Sequence, residues 1–153
     1  MMSKKSKYAL RALLALARRH SDEPMLIADL AEQEGIPRKF LELILLELKN
    51  GGLLQSRKGR GGGYLLARKP EQISLGEVMR VLDGPLAPVA CVSQRAYHTC
   101  EECADEATCG IRAVMKDVRD ATAGILDRET LAGVLRRSEE LQQEKKKVQV
   151  YAI

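Results

Sequence analysis

Apolar residues recur at helical spacing three times within the first fifty positions. Leu10, Leu13, Leu14 and Ala17 form one stripe and predict a helix over 3–19. Ile27, Leu30 and Ala31 share a face of a second helix, after a break at His20-Ser21-Asp22-Glu23-Pro24. Gly35-Ile36-Pro37 interrupts the run, and Phe40, Leu41, Ile44, Leu45 and Leu48 resume it, with Pro37 suited to a first helical turn, where its missing N–H costs nothing. The period then changes. Leu53-Leu54-Gln55-Ser56-Arg57 and Tyr64-Leu65-Leu66-Ala67 are short apolar strands flanking Lys58-Gly59-Arg60-Gly61-Gly62-Gly63. Helix, tight turn, helix and a hairpin with a basic, flexible tip predict a winged helix-turn-helix.

Beyond the hairpin, Pro70 ends the second strand. Ser74 is placed to cap a short helix, Glu77 to complete a capping box, and Asp83-Gly84-Pro85 to stop it. Periodicity is lost over 85–108. It returns over 111–126, where Ile111, Val114, Met115, Val118, Ala121, Thr122 and Ile125 follow a 3–4 pattern. That stripe can close the core of its own chain or pair with its twin across a two-fold axis; the second is preferred, because palindromic DNA needs a symmetric protein. Asp127 is expected to cap one more turn over 130–135, and the charged tail to be solvated or frayed. The division is therefore 1–84 winged domain, 85–110 cysteine loop, 111–137 dimerisation helix region and 138–153 tail. The fold class is mainly α with a small β-hairpin.

Charge sharpens this picture. Residues 1–70 carry 14 Lys/Arg against 7 Asp/Glu, net +7, whereas 71–153 carry 11 against 14, net −3. The positive field lies on the winged part, where phosphates would be neutralised. With one Phe, four Tyr and no Trp, the chain lacks the aromatic platforms on which single strands stack. The DNA-contacting set is then Arg38, Lys39 and Glu42, at the start of the second helix of the motif, and Arg57, Lys58 and Arg60 in the wing. Arg60 between glycines suits a narrow minor groove. The glycine loop lacks the GxxxxGK[ST] order and joins two strands, and Tyr64 spoils a GxGxxG, so nucleotide binding is remote. No stretch approaches the ~18 apolar residues of a membrane span. The basic start reads as an amphipathic helix, which implies a cytoplasmic protein without a membrane partner.

All four cysteines fall within nineteen positions, spaced Cys91-x8-Cys100-x2-Cys103-x5-Cys109, with His98 among them. In a reducing compartment such thiols are ligands or redox groups rather than disulfides. Both zinc and iron–sulfur centres need several soft ligands converging on one point, and spacing does not separate them. A thiol oxidoreductase is disfavoured, because Cys100-Glu101-Glu102-Cys103 has no βαβ context and its carboxylates raise thiol pKa. The chain is not expected to be an enzyme.

The stretch 36–66, with Phe40-Leu41-Glu42, Leu45, Leu48, Gly51-Gly52-Leu53, Ser56, Gly59 and Gly61-Gly62-Gly63-Tyr64-Leu65-Leu66, resembles the Rrf-two-type regulators, the group of IscR, NsrR and RirA. Tyr8-Ala9-Leu10-Arg11-Ala12-Leu13 and Ser74-Leu75-Gly76-Glu77-Val78 also fit, so the likeness runs to about Arg137. The resemblance implies a dimeric, winged-helix transcription factor, here a repressor, that binds double-stranded operator DNA. It also implies a two-iron or four-iron cluster on Cys91, Cys103 and Cys109 that senses redox, iron or sulfur status. Some relatives carry no cluster. The gap between Cys91 and Cys103 is longer than in the best-known members, and Cys100 is an extra thiol that can supply a fourth ligand, His98 being a weaker candidate. Where IscR-like members place a ligand histidine, this chain has Arg112. The alternative is a zinc-stabilised interaction module on a winged-helix scaffold.

Overall fold

The computed structural model describes residues 2–19 and 22–151, so His20 and Ser21 of the predicted break lie outside the described residues. Six helices and one hairpin follow in the order α1 (Lys4–Arg18), α2 (Ile27–Glu34), α3 (Arg38–Asn50), β1 (Leu54–Arg57), β2 (Gly63–Leu66), α4 (Leu75–Asp83), α5 (Gly110–Leu126) and α6 (Leu131–Tyr151).

α1 is the central helix, touched by α2, α3, α4, α6 and β2. It buries Ala9, Ala12, Leu13, Ala15, Leu16 and Ala17 and leaves Leu10 and Leu14 half-buried, so the stripe drawn through Leu10 and Leu14 is rotated. The alanines explain this. A helix surrounded by neighbours presents small residues where other backbones come closest, and size, not hydropathy alone, selects the buried face. Its start is fixed by Ser3, whose Oγ accepts from the Ser6 N–H at 3.0 Å. The hydroxyls of Ser3 and Ser6 each donate to an Asp83 carboxylate oxygen at 2.6 Å, which ties α1 to the end of α4.

α2 ends at Gly35, whose φ of 59° is the left-handed turn that side chains disfavour. Pro37 sits one residue ahead of the expected first turn, as the N-cap of α3. Leu41, Ile44, Leu45 and Leu48 of α3 are buried as predicted. The wing strands pair antiparallel from Leu54↔Leu66 to Arg57↔Gly63. Met25 extends them through a bridge to Tyr64: its N–H donates to the Tyr64 carbonyl at 2.8 Å, and its carbonyl accepts from the Tyr64 N–H at 2.9 Å. The hairpin is thereby attached to the segment that enters α2.

Ser74 caps α4 by accepting from the Glu77 N–H at 3.1 Å, but the Glu77 carboxylate goes to Arg68, so only half of the expected capping box forms. Gly84 (φ 84°) ends α4. The aperiodic stretch contains only two short 3₁₀ turns, Ala90–Val92 and Glu106–Thr108.

Two expectations about the C-terminal part change. Asp127 does not open the next helix; it is the C-cap of α5, and both its oxygens accept from Arg80 of α4, at 2.5 and 2.9 Å. That doubly bonded pair holds the Asp127 carboxyl below its usual range and raises the Arg80 guanidinium further. The tail is exposed but not frayed: α6 is continuous to Tyr151. Its first turn also returns to the winged domain. Leu131 is fully buried, its N–H donates to the Ile73 carbonyl at 3.0 Å, and the Leu75 N–H donates to the Glu129 carbonyl at 2.8 Å. The core thus gathers Leu13, Leu30, Leu41, Ile44, Leu45, Leu48, Leu53, Ile73, Val78 and Leu131, all fully enclosed.

Candidate nucleic-acid interface and cysteine loop

With its buried stripe turned inward, α3 shows solvent the opposite face: Lys39, Glu42, Leu43, Leu46 and Asn50 are exposed. Arg38 is exposed too, but its Nε pairs with Glu42 Oε1 at 3.3 Å, one helical turn on. Two residues of the expected DNA-contacting set are therefore joined to each other. A surface pair of this kind contributes only about 0.3–0.5 kcal/mol and is readily exchanged for a base or phosphate.

In the wing, Arg57, Lys58 and Arg60 are all exposed. Gly59 (φ 93°) and Gly61 (φ 77°) turn the tip, and the Gly62 N–H closes it on the Gly59 carbonyl at 3.0 Å. At Gly63 the requirement is space: a Cβ there would lie 2.1 Å from the Met25 carbonyl oxygen. The glycine run thus combines a turning tip with a close backbone approach at its base. All six predicted contact residues are solvent-accessible, on α3 or in the wing.

The cysteine loop is fastened to α5. Cys109 caps that helix, and its Sγ accepts from the Arg112 N–H at 3.4 Å. This bond, with help from the Ile111 N–H, lowers the Cys109 thiol pKa and favours the thiolate. Desolvation pushes Cys103 upward, and its hydrogen bond to Cys109 adds to that; Cys100 is near enough to act in the same direction. Cys91, Cys103 and Cys109 are half-buried, and Cys100 is exposed. His98 is exposed and its backbone N–H donates to Ala90 at 3.4 Å. Among the described residues, no three His, Cys, Asp or Glu side chains converge as a metal-holding group. The chain brings Cys103 and Cys109 together and carries the other thiols on the same loop. The donors suit an iron–sulfur cluster chemically: they are soft thiols, and one of them is stabilised as thiolate.

Arg112 is the residue that spacing did not single out. Its Nε donates to the Cys91 carbonyl at 3.3 Å and lies 3.4 Å from Glu106, whose carboxylate accepts from the Tyr97 hydroxyl at 2.9 and 3.0 Å. One side chain thus links the segments carrying Cys91 and Cys109. Arg119, two turns further along α5, donates to the Val92 carbonyl. A signal was present in Cys109-x2-Arg112, a basic residue at the third helical position after a thiol cap.

α5 itself buries no residue. Ile111, Val114, Val118 and Ile125 remain 72%, 56%, 43% and 58% exposed, a continuous apolar face. No described helix is long and apolar enough to cross a membrane.

The sequence model of the Rrf2 family, described as an iron-dependent transcriptional regulator, matches residues 2–137. The chain is 44% identical over 138 residues to an rrf2-like HTH-type transcriptional regulator of Rhodobacter capsulatus, covering 88% of this chain and 92% of that protein. It is 31% identical to the HTH-type transcriptional regulator IscR of Cronobacter sakazakii, over 92% of this chain and 83% of the relative. Among solved structures it is similar to CymR, the global cysteine regulator of B. subtilis, with a TM-score of 0.71, 30% identity, and coverage of 88% and 95% of the two chains. T. potens IscR gives a TM-score of 0.72 at 29% identity, covering 93% and 90%.

Proposed function

The chain belongs to the Rrf2 family of transcriptional regulators, DNA-binding proteins and not enzymes, and from that premise we propose that it represses transcription as a homodimer on operator DNA and senses redox, iron or sulfur status through an iron–sulfur cluster on its cysteine loop. The observation that carries the DNA-binding face is the exposed, basic start of α3 together with the exposed basic wing, whose strand β1 packs on α3 and whose strand β2 is bridged to Met25. α3 then enters the major groove, and Arg57, Lys58 and Arg60 meet backbone or minor groove. Glu42, released from Arg38, accepts from a cytosine amino group and penalises other bases. The apolar face of α5 supports pairing of two copies.

Cys91, Cys103 and Cys109 would hold the cluster, with Cys100 as the fourth ligand. When bound, it supplies a centre whose charge and integrity respond to oxidants, iron supply or nitric oxide. The chain's own contribution is to lower the Cys109 thiol pKa at the start of α5 and to tie the loop there through Arg112.

Selection of duplexes from a random pool by the anaerobically purified protein tests the DNA-binding face. A defined palindromic site is expected, and Arg60→Ala should weaken binding and lower the salt slope by about one unit if Arg60 contacts phosphate. If no duplex is selected, the DNA reading fails. Iron and sulfide analysis of the same sample tests the sensor. Stoichiometric zinc without sulfide would remove it and put the zinc module in its place.

A further inference from the structure

α3 carries two leucines more than its core needs. Leu41, Ile44, Leu45 and Leu48 complete the buried stripe, yet Leu43 is 66% and Leu46 is 48% exposed. At 100° per residue these two are neighbours on the outward face, Leu43 one turn beyond Lys39 and Leu46 one turn beyond Glu42. We propose that Leu43, flanked by Leu46, is a specificity-determining residue that reads the C5-methyl of thymine in the operator's major groove; this rests on the DNA-binding reading above.

The chemistry selects the base. Of the major-groove edges, only thymine presents an alkyl group; guanine, adenine and cytosine present donors and acceptors. Leucine has nothing to pair with those groups, so placing it against them strips water from polar atoms without replacement. Against a methyl it buries apolar surface on both sides. The surroundings select the occupant. Lys39 stands one turn before Leu43, Arg38 opens the helix, and Arg57, Lys58 and Arg60 project from the adjoining wing. An apolar pair inside a basic field complements a groove floor between phosphates better than it complements a protein, which would need a larger continuous apolar patch. Glu42, next in sequence, would favour cytosine at a neighbouring position.

The experiment replaces dT by dU in the selected operator, which removes the methyl and leaves every hydrogen-bonding edge unchanged. At the position read by Leu43, wild-type protein should lose about fourfold in affinity for one half-site, and roughly fifteenfold when both half-sites carry dU, the change expected for one buried methyl each. Leu43→Ala should bind dT and dU operators equally and melt like wild type, since the side chain is not part of the core. Leu43→Gln should move the preference toward adenine, whose N6 amino group donates to the amide oxygen while its N7 accepts from the amide NH2. Equal wild-type affinity for dT and dU at every thymine overturns the inference while leaving DNA binding intact. So does a methyl preference that persists in Leu43→Ala, which would mean that another residue reads it. Failure to select any duplex overturns both readings together.

Discussion

At Gly63 the wing meets the segment that leads into α2, and the fold depends on a missing atom. A Cβ there would fall 2.1 Å from the Met25 oxygen and 2.5 Å from its carbonyl carbon. Both are backbone atoms and cannot swing aside. Gly59, at the tip, is the contrast: its φ of 93° is strained for a side chain, but nothing lies within 4 Å. Gly63→Ala should therefore cost roughly 2–4 kcal/mol, from the clash and the two lost Met25–Tyr64 hydrogen bonds. Gly59→Ala should cost about 1–2 kcal/mol, the strain alone. Denaturant titration reads both. DNA affinity should fall far more for Gly63→Ala, because the wing would no longer be fixed to the helix-turn-helix. Equal costs would mean that the base of the wing yields as easily as its tip. Sequence reading found this glycine run but not the division of labour inside it. Composition marks flexibility, whereas the approach of Met25 is a contact between distant positions.

Among the elements, α5 has the plainest unfinished business: seventeen residues of helix and no buried side chain. Val118 lies in the middle of its apolar face and is 43% exposed in the single chain. Val118→Asp should therefore leave the fold of the chain intact by circular dichroism, yet place an unpaired charge in the seam of a dimer. Light scattering should report monomer, and operator binding should collapse, since two half-sites need two linked readers. A folded Val118→Asp protein that still dimerises would remove α5 from the interface. The stripe of α5 was legible because a 3.6-residue period survives in any amphipathic helix. What covers it was not, because periodicity marks the apolar side and is silent about the partner. α3 was legible almost to the residue for the same reason, and its charged positions came out exposed. α1 was misjudged by part of a turn, because its alanines carry close packing that a hydropathy stripe undervalues. The tail was misjudged the other way. Its Glu, Gln and Lys residues are solvated but are good helix formers, and Arg136 lies 3.9 Å from Glu140 one turn on, so α6 runs on. The cysteine loop, with no period at all, showed its thiols in the sequence and hid their placement.

For the whole molecule, the proposed sensing would have to run through the two attachments of α5. Its C-terminal end is bound to the winged domain through Asp127 with Arg80 and through the buried Leu131. Its N-terminal half is held to the loop through Cys109, through Arg112 on the Cys91 carbonyl, and through Arg119 on the Val92 carbonyl. On the proposed sensor reading, α5, held firmly at one end and through a loop at the other, takes two settings relative to the winged domain. In a dimer seamed by α5, those settings change the spacing of the two α3 helices. A ligand of the loop that binds one setting better shifts the population toward it. Cys103→Ala should therefore purify colourless under anaerobic conditions, without sulfide, and its operator affinity should differ from that of the coloured wild type by roughly 5- to 150-fold, the usual range of coupling between sites. Arg112→Ala separates holding the group from transmitting its presence: it keeps every thiol and removes the link to Cys91, so it should retain colour while its affinity moves toward that of Cys103→Ala. If coloured and colourless proteins bind the same operator equally tightly, the loop is not a sensor. If Arg112→Ala keeps both its colour and the wild-type affinity, the signal does not pass through this arginine.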